Sequence, residues 1–187
     1  MSAVPDVAWW RRVQLQDAVW VVLFAGLAVL SPHRDVYELV PIAALAALQI
    51  LEPKLEFVST KRGKVVWIFL KLLFCYALIG FTGSLGSSYY WILLLPVISA
   101  GTSLGLLGTL IFIVLSGGAY LSFVAYLDPN RYFLDLENKL ELALRVIFLA
   151  VAGNLTNTLA QALRQQFAKT KAVADQLAEA NRNLQQA

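Results

Sequence analysis

Apolar positions gather into five long runs, at residues 13–30, 37–51, 65–81, 89–127 and 142–163, separated by short polar stretches. Crossing the hydrocarbon core of a bilayer takes about 20 apolar residues in helical form, so these runs predict membrane-spanning helices. The fourth run is too long for one crossing, since at 1.5 Å per residue it would reach about 58 Å, about twice the hydrocarbon thickness. Within it, Pro96 is followed by Ser99, Ala100, Gly101, Thr102 and Ser103, where the bulky pattern lapses as far as Gly105. A hairpin near Gly101 is expected there, because small residues and glycine break helical continuity. The pattern therefore predicts an all-α membrane protein of six transmembrane helices. Spans two and four are short, at about 15 residues or fewer, which predicts tilt, a thinner local bilayer or extension into the flanking loops.

Beyond the last run the period changes. Leu163, Phe167, Thr170, Ala174, Leu177, Asn181 and Leu184 recur at alternating intervals of four and three in an otherwise polar segment. That is the seam of a coiled coil, and Asn181 falls at a position where a buried amide favours an in-register dimer. Asp175, Glu179 and Arg182 lie off the seam, and Glu179 can pair with Arg182 across one turn. Extended upstream, the register reaches Ala160, Thr156 and Gly153 inside the membrane, all small, with Asn154 and Asn157 nearby. Small residues let helices approach closely in lipid, so the seam is expected to join two subunits through span six as well. The competing reading has Gly153 packing on another span of its own subunit, and the tail as a lone amphipathic helix.

Charge placement fixes an orientation. Arg11 and Arg12 precede the first span, Lys54, Lys61, Arg62 and Lys64 fill the loop after the second, and Arg164, Lys169 and Lys171 follow the last. Six spans put all three clusters on one side, which the positive-inside rule makes cytoplasmic, along with both termini. The opposite loops, at 31–36, 82–88 and 128–141, are too short for an outer domain. In the last of them Asp128, Asp135, Glu137 and Glu141 outnumber Arg131 and Lys139. The first run lacks a following cleavage site and is expected to remain as an anchor.

Composition agrees with a lipid solvent: of 187 residues 59% are hydrophobic and 14% charged, with a net charge of +3 and a mean hydropathy of +0.66. The basic residues flank apolar runs, which suits anionic headgroups rather than a nucleic-acid groove. The single cysteine excludes an intrachain disulfide and a cysteine-based metal cluster. No cofactor is expected.

The tail Gln176-Leu177-Ala178-Glu179-Ala180-Asn181-Arg182-Asn183-Leu184, joined to a multi-span domain, resembles the input half of bacterial sensor histidine kinases. The stretch Trp91-Ile92-Leu93-Leu94-Leu95-Pro96-Val97-Ile98-Ser99-Ala100 is similar to a recurring segment of their membrane domains. The resemblance implies a six-span transmembrane sensor domain at residues 1–163 and a cytoplasmic coiled-coil signalling helix at residues 164–187. It implies a homodimer of the inner membrane passing a stimulus to a cytoplasmic output that these residues do not include. The same kind of tail precedes diguanylate and adenylate cyclase modules. No phosphoacceptor histidine or ATP lid is present, His33 being the one histidine and falling in an outer loop. A small transporter or channel subunit is the alternative, with Ser99, Thr102, Ser103 and Ser116 as the polar groups it could use.

Ionisable side chains within spans are the natural candidates for a sensing site, because their burial in lipid is costly. Asp17, Glu38, Lys71 and Arg145 qualify. Lys71 and Arg145 are expected to extend their stems to the nearest interface, and Asp17 and Glu38 to sit near headgroups or pair with a basic neighbour. Cys75 and Tyr76 lie near the middle of span three. A packed, inert thiol is expected, since a metal would need further ligands, and the Cys and His that ethylene receptors place one turn apart are not so placed here. Lys71, Cys75, Tyr76 and Asp17 are thus the weak ligand candidates. No nucleophile with a base, metal cluster or carboxylate pair suggests an enzyme. The aromatic residues Trp9, Trp10, Trp20, Tyr89, Tyr90, Trp91, Tyr126 and Tyr132 fall mostly at span ends, as in an interfacial belt.

Overall fold

A computed structural model describes residues 15–30, 35–126 and 136–186. Arg11, Arg12, Trp9, Trp10, His33, Asp128, Arg131, Tyr132 and Asp135 lie outside the described residues, as do the side chains of Tyr126, Glu137, Asn181 and Leu184. The described chain is helical with no strand: α1 (Leu15–Val29), α2 (Val36–Leu51), α3 (Lys61–Phe81), α4 (Leu94–Ser103), α5 (Gly105–Ser122) and α6 (Leu136–Gln186). Short 3-10 turns fill most of the connections. Four stretches are long and apolar enough to cross a membrane: Val36–Lys54, Lys61–Phe81, Gly105–Ala125 and Asn138–Leu177.

Local chemistry sets the breaks. Thr60 caps α3, its hydroxyl oxygen accepting from the Gly63 N–H at 3.0 Å. Gly83, at φ 107°, ends α3 with the left-handed residue that a C-terminal cap requires. The long fourth run divides at Leu104–Gly105, at the far edge of the expected window, where Gly105 takes φ 74°. Gly101 is not at the turn. It stays helical and buried in α4, where a Cβ would press on Thr156 and the Asn157 backbone of α6. The segment expected as span four is a 3-10 run, Ser88–Leu93, followed by the ten residues of α4, and it is not among the four stretches long and apolar enough to cross a membrane.

The core gathers Ile42 and Leu45 of α2, Ile68, Leu72, Cys75 and Leu78 of α3, Phe112 and Tyr120 of α5, and Leu149 of α6. Large apolar side chains also cover the outside, among them Val22, Leu107, Val114 and Val151. An exterior of that kind suits lipid contact rather than water.

Helix α6 packs chiefly on α4 and α5. Gly153 is buried there, and an added Cβ would collide with Val97 of α4 and Ile113 of α5. Thr156 faces Gly101 of α4, and Ala160 is half-buried. The small residues expected to bring two subunits together therefore bring α6 close to its own subunit. The reason is geometric: small residues permit close approach without specifying which helix approaches.

Candidate functional site

Two polar clusters occupy opposite ends of the bundle, and each is built around one of the cations expected to reach for an interface. Lys71 lies halfway along α3, about 15 Å from the helix start at 1.5 Å per residue, and is 1% exposed. Its ammonium donates to Glu52 Oε2 at 2.6 Å, Gln49 Oε1 at 2.7 Å and Ser99 Oγ at 2.9 Å. All three protons are used, which is the condition under which a buried ammonium is tolerated. The expectation of a snorkelling Lys71 is corrected by this cage. A partner at the right depth exists because α2 ends at Leu51, so that Gln49 and Glu52 sit beside the middle of α3 rather than its start.

Above this cage opens a cleft of about 520 Å³ between the start of α1 and the ends of α2 and α4. Asp17, Gln49, Glu52, Lys64, Ser99 and Thr102 contribute polar groups to it, and Trp20, Val58 and Ile98 contribute apolar ones. Asp17 pairs with Lys54 at 2.8 Å, tying the start of α1 to the turn after α2. On the far side of α4 the Arg164 guanidinium donates to the Thr102 carbonyl. That carbonyl belongs to the last turn of α4, where no helical N–H follows to satisfy it and a cation complements the helix dipole. Lys54, Lys61, Arg62, Lys64 and Arg164 thus share one end of the bundle with the cleft.

The second cluster is at the other end. Arg145 of α6 donates through Nη1 to the Leu85 carbonyl at 2.9 Å and to the Tyr120 hydroxyl, and through Nη2 to Glu141. Its guanidinium stacks 4.0 Å from the Tyr90 ring, while the Tyr120 hydroxyl also donates to Leu85 at 3.1 Å. Arg145 is therefore a strut between α6, α5 and the turn after α3, not a snorkelling side chain. Glu38 is buried at the start of α2 and borders two further cavities with Thr82, of about 330 and 520 Å³.

Cys75 is buried, and its thiol donates to the Ile92 carbonyl at 3.3 Å. Pro96 explains why that carbonyl is available: having no N–H, proline cannot make the helical bond to the residue four before it. Tyr76 faces elsewhere, stacking on Phe123 at 4.5 Å and bonding Ser122 at 3.1 Å. Of the four weak candidates, Asp17 lines the cleft directly, Lys71 reaches it through Gln49, Glu52 and Ser99, and Cys75 and Tyr76 do not line it. Sequence reasoning missed Glu52, Gln49 and Ser99 as partners of Lys71. Their signal was faint, because Glu52 reads as a loop residue once the second run ends. Among the described residues no group of acidic, histidine or cysteine side chains is placed to hold a metal. No protein-family model, curated protein or solved structure matches the chain.

Proposed function

We propose that the protein is a membrane-embedded sensory and dimerisation module, whose α6 carries a change within the bundle to a cytoplasmic output such as a histidine kinase or a nucleotide cyclase. The observation that carries this reading is the continuity of α6, one helix of 51 residues and about 76 Å. Its first half is fitted to α4 and α5, and its second half projects with the apolar side chains Phe167 and Leu177 72% and 73% exposed. Such residues beyond a membrane domain call for a partner helix, and the seam from Leu163 to Leu184 offers one to a second copy. Leu163 lies one residue, or roughly 100° of helix, from the bundle-facing Arg164, so the seam emerges beside its own bundle with room for a second tail. The basic residues gathered at one end of the bundle support a cytoplasmic tail and cytoplasmic termini, in a bacterial inner membrane.

A transporter or channel subunit is supported less well. Ser99, Thr102 and Ser103 do border the cleft, but Ser116 does not, and the cage around Lys71 closes the cleft floor.

Rigid coupling is tested by joining residues 1–187 to the catalytic part of a sensor histidine kinase. A one-residue insertion near Gln165 rotates the tail by roughly 100° against the bundle and is expected to reset kinase output while the protein stays dimeric. Inserting seven residues restores the heptad register and should restore output. Output indifferent to both insertions contradicts the proposal.

A further inference from the structure

The cleft above Lys71 has an unbalanced charge. Both carboxylates that border it are already neutralised, Asp17 by Lys54 and Glu52 by Lys71. Lys64, which also borders it, has no ion pair among the described residues. Ser99 accepts from Lys71, so its own proton remains to be donated. Facing these donors is an apolar wall that includes Trp20 and Ile98. At about 520 Å³ the space is of the size that holds small ligands.

We propose that this cleft binds a small amphiphile with a single anionic head, a carboxylate or phosphodiester on a short apolar chain. The head sits between Lys64 and the Ser99 hydroxyl, and the chain lies against Trp20 and Ile98. A neutral or cationic head would leave Lys64 uncompensated beside a desolvated surface, and a dianion would exceed the one unpaired positive charge. The site has a route to the output. Its wall is α4, whose Ser99 is held by Lys71, whose Thr102 carbonyl is held by Arg164, and whose Gly101 lies against α6. An amphiphile wedged against Ile98 acts on the helix that latches the tail. This coupling rests on the sensor reading, whereas binding itself does not.

The full chain in phosphatidylcholine nanodiscs is titrated calorimetrically with hexyl methyl phosphate, a monoanionic phosphodiester, with empty nanodiscs as the control for partitioning. Saturable one-site binding is expected, at least tenfold weaker in Lys64→Glu with an unchanged melting temperature, and not competed by hexyltrimethylammonium or hexanol. Repeating the titration with phosphatidylglycerol in the nanodisc separates two sources of the same chemistry. Weakened hexyl methyl phosphate binding identifies an inner-leaflet lipid headgroup as the resident, and undiminished binding identifies a free amphiphile. No saturable binding, equal binding by Lys64→Glu, or equal competition by the cation overturns the proposal. A monomeric tail would leave this binding intact, so the two readings fail separately.

Discussion

Replacing Glu52 by alanine is expected to destabilise the protein by about 3–5 kcal/mol, the range for a buried charge stripped of its partner. Removing Lys71 itself should cost less. The asymmetry follows from exposure: the Lys71 side chain is 1% accessible, whereas that of Glu52 is 23% accessible and opens on the cleft. A stranded Lys71 has no water to turn to, and Gln49 and Ser99 supply dipoles but no charge. A stranded Glu52 can hydrate from the cleft, so Lys71→Met should lose about 1–3 kcal/mol. Glu52→Gln keeps an acceptor for the ammonium and falls between the two. Thermal unfolding in one detergent, with helicity as the signal, ranks the three variants. The reverse order, or a neutral Glu52→Ala, would show that Lys71 reaches water after all.

At the opposite end, Arg145→Lys should behave almost as badly as Arg145→Ala, each losing about 2–4 kcal/mol as the three-armed hydrogen-bond fork and its cation–π geometry are lost. The planar guanidinium serves the Leu85 carbonyl, the Tyr120 hydroxyl and Glu141 at once while lying flat on Tyr90. A lysine keeps the charge but cannot hold that fork, so the substitution is not conservative here. Tyr120→Phe removes one arm of the same network. Combined with Arg145→Ala it should cost less than the two single losses added together, by about 1 kcal/mol, because both side chains act on the Leu85 carbonyl. Strict additivity would mean that the two side chains do not share the Leu85 carbonyl, and stability unchanged by Arg145→Lys would mean that the guanidinium fork contributes nothing to holding α6.

Much of the helical layout was legible from the apolar runs, because periodicity and run length are local properties. The division of the fourth run was legible too, although the turn falls at Gly105 rather than Gly101. Small residues announced Gly101 as a break, when its size serves the approach of Thr156 instead. Lys71 and Arg145 show where sequence stops. A lysine ten residues into a span reads as a snorkeller unless the neighbouring helix is known to end at the same depth, and that depends on packing. Gly153 and Thr156 carried a similar ambiguity, since the heptad spacing that joins them to Leu163 says nothing about which helix fills the space beside them. The Cys75 thiol was expected to be inert. Its actual partner, the Ile92 carbonyl that accepts from the Leu94 N–H but has no helical bond from Pro96, required only the rule that proline withholds an N–H, together with the adjacency of α3 to the 3-10 run before α4.

The proposed role depends above all on the tail of α6 pairing with a second copy along one seam. Single cysteines introduced along residues 150–184, in a Cys75→Ser background that keeps a donor for Ile92, test this directly by disulfide crosslinking in membranes. Strong dimer bands are predicted at Leu163, Phe167, Thr170, Ala174, Leu177, Asn181 and Leu184, weak ones at Asp175, Glu179 and Arg182, and none at Gly153, which is enclosed by Val97 and Ile113 of its own subunit. Crosslinking that is uniform along the tail, or absent from it, would contradict the dimeric sensor.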